Sequence, residues 1–166
     1  EYVDVVKGRS YSSEDLVRSK NVLVSLKCFK ANGEFNEEGL KQYAGKYNKE
    51  QIVIPGDIVI AITDITQNGD VLGKPILVMR SKFDTMIASL DLLIVRTKGK
   101  IPRSFLYFLL KDEEFQAHAR GYATGTNVLH LDKNVINDHK FILPESKMLE
   151  EFDSLADELI TCMLNN

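Results

Sequence analysis

A nearly continuous apolar run, IVIAI at residues 58–62, follows a turn signal made by Pro55, Gly56 and Asp57. Proline and glycine supply the backbone angles of a tight turn, and aspartate bonds to the neighbouring backbone. The run has the length of a strand and lacks the polar alternation of a half-buried strand. The sequence therefore predicts a strand that is buried on both of its faces.

Further strands are predicted around this run, and helices are predicted after it. The other strand candidates are short apolar segments at residues 3–6, 21–26, 74–81, 89–97 and 140–144. Pro102 suits the first position of a helix that runs to Leu110, and Asp112 can cap a second helix that ends at Gly121. Strands that cluster before helices predict an α+β domain with mixed or antiparallel strands, rather than a doubly wound sheet.

The segment at residues 27–51 is polar, punctuated by glycine and rich in lysine and tyrosine. No residue in it requires a position in the core. A loop of this length is uncommon in a compact domain unless it is functional or contains a small helix. Such a helix would lie at residues 36–43.

Composition indicates one soluble globular domain with a short appendage. The chain has 166 residues, of which 44% are hydrophobic and 27% are charged. No apolar run approaches the roughly 20 residues that span a bilayer, and the N-terminus lacks an export signal. Cys28 and Cys162 stand alone, which is typical of a reducing compartment. We expect a cytoplasmic protein, and because the first residue is Glu1, we expect it to derive from a longer chain.

Charge is distributed unevenly along the chain. Residues 1–111 hold 17 Lys and Arg against 13 Asp and Glu, whereas residues 112–166 hold 4 against 11. A basic region attracts polyanions, so DNA, if this chain binds it, is expected to meet the first two thirds of the chain. The alternative is that an excess of four positive charges over 111 residues is ordinary surface.

Residues 146–166 predict an amphipathic helix. Apolar residues recur there at the alternating spacings of a coiled-coil seam, at Leu149, Phe152, Ala156, Leu159 and Met163. The repeat is too short to establish a coiled coil, so the seam either meets a partner helix or packs on the chain's own domain. We divide the chain into a domain at residues 1–145 and the start of a connecting helix at residues 146–166.

The sequence contains no self-contained catalytic motif. It has no GxxxxGK[ST] phosphate loop, no GxGxxG or GxSxG turn, no HExxH helix and no (N/D)PP(Y/F) motif of amine methyltransferases. His118 lies on a predicted helix, and His130 and His139 flank a short loop, where no Cys or carboxylate lies at metal-ligand spacing with both. We therefore expect no catalytic residue, no metal site and no enzymatic activity.

Residues 62–73, ITDITQNGDVLG, have the spacing that opens a calcium-binding loop. Side-chain oxygens occur at alternate positions, namely Asp64, Thr66, Asn68 and Asp70. An EF-hand loop also needs a bidentate Glu at its twelfth position, where this chain has Pro75. The simpler interpretation is a loop between two buried strands, in which Asn-Gly forms the turn and the Asp and Thr side chains bond to the local backbone.

The order of several motifs resembles that of the specificity subunit of type I restriction-modification systems. The matching segments are KGRSYSSEDL, PGDIVIAITDITQNGDVLG, RSFLYFLL, YATGTNVLHLD and KFILPE, followed by the amphipathic helix. In that family the complete subunit carries two target recognition domains, each followed by a long helix, and the two helices pair as a spacer. This chain resembles one such domain with the start of its spacer helix.

The resemblance implies a non-catalytic subunit that binds double-stranded DNA. Such a subunit directs modification (methyltransferase) and restriction subunits to one half of a bipartite site. S-adenosylmethionine, ATP and magnesium would then be bound by those partners, with no cofactor on this chain. A second target recognition domain, or a second copy of the chain, would pair with the C-terminal helix, and no membrane is implied. The alternative is a protein-interaction scaffold whose acidic helix recruits a partner.

Candidate DNA-contacting residues follow from side-chain chemistry, because the resemblance does not assign base-reading residues. Flexible cations suit phosphates, and the candidates are Lys27, Lys30, Lys46, Lys49, Arg80 and Lys82. Donors and acceptors suit base edges, and the candidates are Asn32, Asn48, Gln67, Asn68, Arg120 and Asn127. Stacking or backbone contacts are expected of Tyr47 and Tyr122, and the glycine-centred loop adds Thr124 and Thr126. Each residue alone has the alternative of a solvated loop position.

Overall fold

The computed structural model describes residues 1–30, 32–64, 69–125 and 128–165, and within them ten strands and four α-helices are formed. The strands are β1 (Val3–Lys7), β2 (Asn21–Val24), β3 (Lys41–Gln42), β4 (Ile52–Val53), β5 (Ile58–Ala61), β6 (Thr63–Asp64), β7 (Pro75–Leu77), β8 (Thr85–Ala88), β9 (Leu92–Thr97) and β10 (Leu129–His130). The helices are α1 (Arg103–Lys111), α2 (Glu113–Gly121), α3 (Asn134–Asp138) and α4 (Ser146–Asn165). Short 3₁₀ helices occur at Ser13–Asp15, Leu26–Cys28, Glu37–Gly39 and Lys49–Gln51.

The strands form two four-stranded sheets and one two-stranded ribbon within the described residues. The first sheet has the order β1-β9-β5-β7 and is antiparallel throughout. The second has the order β3-β2-β8-β4, in which β2 and β8 are parallel and the other pairs are antiparallel. The ribbon pairs β6 with β10. The predicted α+β class with mixed and antiparallel strands is therefore confirmed.

The central strand β5 is buried on both faces, as its apolar run predicts. Ile58 and Ile60 belong to the core between the first sheet and the helices, whereas Val59 and Ala61 belong to the core between the two sheets. None of the four is more than 1% exposed. Because burial of one large aliphatic side chain contributes about 1.5–3 kcal/mol, this strand anchors both layers at once.

Helices α1 and α2 begin and end close to their predicted limits. Pro102 immediately precedes α1, and the Asp112 side chain accepts a 2.9 Å hydrogen bond from the Glu114 backbone N–H at the start of α2. Satisfying that otherwise unpaired N–H is the function of an N-cap. None of the described helices is long and apolar enough to cross a membrane.

Helix α4 packs on the chain's own domain along one face. Leu149, Ala156 and Ile160 are buried there, and the Arg103 guanidinium pairs with the Asp157 carboxylate at 3.1 Å. Two residues of the predicted partner seam, Leu149 and Ala156, are thus covered by the domain and are not open to a partner. Ile160, which is not part of the predicted seam, is 0% exposed.

A second apolar stripe on α4 faces solvent, and we call it the open stripe. Its members are spaced four, three, four and three residues apart, and they are Met148, Phe152, Leu155, Leu159 and Cys162. All five are exposed, and Leu155 is the most open at 70%. Phe152 also makes edge-to-face contacts with Phe105 and Phe108. The open stripe has the heptad spacing of a helix-pairing surface.

Three predictions about local structure are wrong. No strand forms in residues 140–144, where Ile142 is 93% exposed, and the chain instead forms β10 and α3 before this segment. The polar segment at residues 27–51 does supply core residues, because Cys28 and Tyr43 are buried. Tyr43 packs on Leu23 in the outer cluster of the second sheet. The small helix expected at residues 36–43 is replaced by a 3₁₀ turn and β3.

The two cysteines are expected to differ sharply in reactivity. Cys28 is fully buried, and burial raises the pKa of its thiol to about 11, whereas Cys162 is exposed. Because the thiolate is the reactive form, iodoacetamide at mildly alkaline pH should alkylate Cys162 alone in the folded protein. Intact mass spectrometry should show one adduct in buffer and two in guanidinium. Rapid labelling of the Cys28 peptide in buffer would contradict its buried position.

Candidate nucleic-acid interface

Two loops that the sequence analysis selected are brought together by the β6–β10 ribbon. Leu129 pairs with Asp64, and Thr124 and His130 exchange backbone hydrogen bonds of 3.0 and 2.8 Å. Gly125 lies between them with a φ of +110°, and a Cβ atom there would lie 2.1 Å from the Val128 carbonyl oxygen. Only glycine fits that turn. Four candidates in these loops, Gln67, Asn68, Thr126 and Asn127, lie outside the described residues.

Asp64 fixes the base of the first loop. Its side chain is buried, and its Oδ2 atom accepts hydrogen bonds from the backbone N–H groups of Val71 at 2.7 Å and Leu72 at 3.2 Å. Next to it, the Thr63 hydroxyl donates to the Asp91 carboxylate at 2.8 Å. The Asp64 bonds match the interpretation in which aspartate bonds to the local backbone. Thr63 differs from it, because its hydroxyl bonds to the side chain of the distant Asp91.

Arg120 and Tyr122 lie beside the second loop. Arg120 is exposed in the last turn of α2. The Tyr122 hydroxyl donates a 2.8 Å hydrogen bond to Asp138, and this bond to a carboxylate raises the pKa of Tyr122. The Tyr122 ring also lies 4.8 Å from the ring of His118. Arg120 is therefore the more available of the two for a nucleic acid.

The polar hairpin around Lys30 lies against the edge strand β7. Lys30 pairs with Glu34 at 3.4 Å, and the Asn32 side chain accepts a hydrogen bond from the Glu34 N–H at 3.1 Å. Lys27 and Asn32 are exposed. A cleft of about 870 Å³ separates this hairpin from Arg80 and from the end of α4. Several polar side chains of the hairpin therefore form their ion pairs and hydrogen bonds within the hairpin itself.

The candidates at residues 46–49 lie next to the outer face of the second sheet. Tyr47 is half-buried against the cluster of Leu23, Tyr43 and Ile87. The Asn48 backbone N–H donates to the Gln51 side chain at 3.0 Å. The side chains of Lys46, Asn48 and Lys49 are exposed. Lys46, Asn48 and Lys49 are therefore accessible to a ligand, whereas part of the Tyr47 side chain packs on the domain.

The last two candidates, Arg80 and Lys82, lie on the connection between β7 and β8. Both are exposed, and Lys82 Nζ lies 5.7 Å from the centre of the Phe83 ring. Two further cations that are not among the candidates predicted from the sequence, Arg18 and Lys20, lie beside Lys82. No local signal marks residues 18–20, because their proximity to Lys82 arises only from the pairing of β2 with β8.

The structure thus distributes the described candidates over distinct places rather than into one cluster. Arg120, Tyr122 and Thr124 lie near the β6–β10 ribbon, Lys27, Lys30 and Asn32 lie on the polar hairpin, and the remainder lie around the second sheet. A ligand that touched all of them would be large. An extended polyanion is of that size, whereas a small molecule is not.

Three solved structures resemble this fold over almost the whole chain. The S subunit of the type I restriction-modification system from M. genitalium is 14% identical and has a TM-score of 0.59, and the match covers 96% of this chain and 36% of that chain. The HsdS subunit from Thermoanaerobacter tengcongensis is 12% identical with a TM-score of 0.61, covering 98% and 37%. A chain from a study of complex assembly in the type I R-M system is 13% identical with a TM-score of 0.61, covering 98% and 37%.

No family model and no curated protein matches the sequence. The matched region includes α4, because 96–98% of the chain is covered. The chain spans just over a third of the length of those proteins, at 36–37%. It therefore has the fold of one part of a type I restriction-modification S subunit, as the order of its sequence motifs predicts.

Proposed function

We propose that this chain recognises one half of a bipartite site in double-stranded DNA, as one target recognition domain of a type I restriction-modification specificity subunit. The observation that carries the proposal is the fold match to S subunits over 96–98% of the chain, including the C-terminal helix. The exposed cations and amides at several places on the domain support a large polyanionic ligand.

The chemistry of modification and cleavage is assigned to partner subunits. In this proposal a methyltransferase subunit binds S-adenosylmethionine, a restriction subunit binds ATP and magnesium, and the present chain only selects the DNA. Residues 1–145 form the recognition domain, residues 146–166 begin the spacer, and the complex works in the cytoplasm.

The open stripe is the proposed contact for a second helix. Leu149 and Ala156 already pack on the domain, so a partner helix would meet the adjacent apolar edge of α4, which includes Leu155 and Leu159. That helix belongs to a second target recognition domain or to a second copy of this chain. Five apolar positions at heptad spacing give such a pair a defined register.

The proposal is tested by sequencing methylated DNA from cells that carry the intact restriction-modification system. Deleting the gene for this chain should remove methylation at one set of bipartite sites, because the methyltransferase then lacks half of its specificity. Restoring the gene on a plasmid should restore the same sites. An unchanged set of methylated adenines would refute DNA recognition and would favour the scaffold alternative.

A further inference from the structure

Four cationic side chains from two distant parts of the chain meet at one end of the second sheet. Arg18 and Lys20 precede β2, and Lys82 precedes β8. Because β2 and β8 run parallel with Asn21 opposite Thr85, the residues that lead into them lie side by side. Arg80 lies on the same connection as Lys82. We call Arg18, Lys20, Arg80 and Lys82 the cationic edge.

The cationic edge is concave and continuous. Arg18, Lys20 and Lys82 line one depression of about 510 Å³ together with Gln42. Arg80 lines an adjoining depression of about 360 Å³, and the two depressions share Phe83 and Asp84 as a common wall. All four cationic side chains are exposed. Together they present positive charge along a groove, which is the shape that follows a polyanion backbone.

Most of this charge is not neutralised by the protein itself. Among the described residues, Lys20 pairs with Asp84 at 3.9 Å, and both side chains are well exposed, so that this pair is weak. Arg18, Arg80 and Lys82 form no ion pair with any described residue. Some other surface cations do, since Lys98 pairs with Asp4 at 3.0 Å and Lys100 pairs with Glu1 at 2.9 Å. The charge of the edge is therefore largely open to a ligand.

We infer that the cationic edge holds the sugar-phosphate backbone of the DNA duplex and does not read bases. This inference rests on the proposed function, and it assigns Arg18 and Lys20 a role in it. Long, exposed cations adapt to phosphate positions, and such contacts fix the register of a protein on DNA without carrying sequence information. Base discrimination then falls to the amide-bearing loops elsewhere in the domain.

The test uses the whole chain with Arg18, Lys20 and Lys82 replaced by alanine. Fluorescence anisotropy would measure binding to a duplex that contains the methylated half-site and to a scrambled duplex, over a series of salt concentrations. Loss of three phosphate contacts should reduce the slope of log K against log salt by about 2.7, at about 0.9 per contact. Both duplexes should weaken by the same factor, so their affinity ratio should stay constant.

A matched control removes three positive charges from other parts of the surface, through Lys98→Ala, Lys100→Ala and Lys147→Ala. This control variant should change the slope of log K against log salt by less than one. If the triple variant melts early, Lys82→Ala alone should lower the slope by about 0.9. An unchanged slope in a protein that still binds DNA would overturn the inference and leave the proposed function standing. Weaker binding to the half-site duplex alone would also overturn the inference, because it indicates that the replaced residues read bases. Absence of any duplex binding by the unmodified chain at low salt would instead count against the proposed function.

Discussion

A chain in which Leu155 and Leu159 are both replaced by glutamate is expected to stay folded and to lose pairing with the proposed partner helix. The two leucines are 70% and 59% exposed, so the domain core does not depend on them. In a helix pair both would be buried, and each buried leucine contributes about 1.5–3 kcal/mol. Two buried carboxylates without partners add a further cost. Association should weaken by roughly 100-fold or more.

Sedimentation measures pairing of the chain with the proposed partner, which is a second target recognition domain or a second copy of the chain. Sequencing of methylated DNA from cells measures the effect of the substitutions on target methylation. Assembly and methylation at the target sites should be lost together, while circular dichroism and the melting temperature stay close to those of the unmodified chain. Ser154→Glu with Thr161→Glu is the matched control, because both residues are exposed on α4 and lie outside the open stripe. Normal assembly of the Leu155 and Leu159 double variant would show that the partner meets another surface.

Local sequence patterns correctly predicted the elements whose residue types by themselves favour one structure. The run at residues 58–62 has no polar member, and β5 is accordingly buried on both faces. Asp112 and Gly121 mark the two ends of α2. The segment at residues 140–144 failed for the opposite reason. Its apolar residues do not by themselves show whether they are buried in the core, and Ile142 is 93% exposed.

The helix seam illustrates the same difference at finer scale. Spacing alone selected Leu149 and Ala156 together with Phe152 and Leu159, because apolar residues occur on two adjacent edges of α4. The domain covers the edge that contains Leu149, Ala156 and Ile160, and the other edge remains open. Sequence periodicity predicts that α4 has an apolar face. Which edge of α4 packs on the domain depends on its contacts with α1, such as that between Ser104 and Asp153.

Sites that depend on long-range pairing were beyond local reasoning. The strand β8 has no counterpart among the predicted strands, and without it the parallel pairing with β2 is invisible. Arg18 and Lys20 consequently carried no signal, although Arg80 and Lys82 were selected for their chemistry. The loop at residues 62–73 and the glycine-centred loop were both selected, but their meeting through β6 and β10 joins segments more than 60 residues apart.

Replacing Asp64 by alanine is expected to destabilise the domain by about 3 kcal/mol. The buried carboxylate accepts hydrogen bonds from the Val71 and Leu72 N–H groups, at 2.7 and 3.2 Å. Its removal leaves two backbone donors near the core without that acceptor, and each such loss costs about 1–3 kcal/mol. For a chain of this size the melting temperature should fall by roughly 6–12 °C. Asp64→Asn keeps one acceptor oxygen and should lose less.

The same pair of variants separates the two interpretations of the calcium-like loop. If Asp64 serves the turn, calcium and a chelator should leave the melting temperature of the unmodified chain unchanged, and the alanine variant should lose stability equally in both. A metal site would behave differently, because a ligand that binds only the folded state raises stability with its concentration. A melting temperature that rises with calcium and loses that response in Asp64→Ala would refute the turn interpretation. Pro75, at the twelfth position of the loop, is buried in β7 and offers no carboxylate to close a coordination shell.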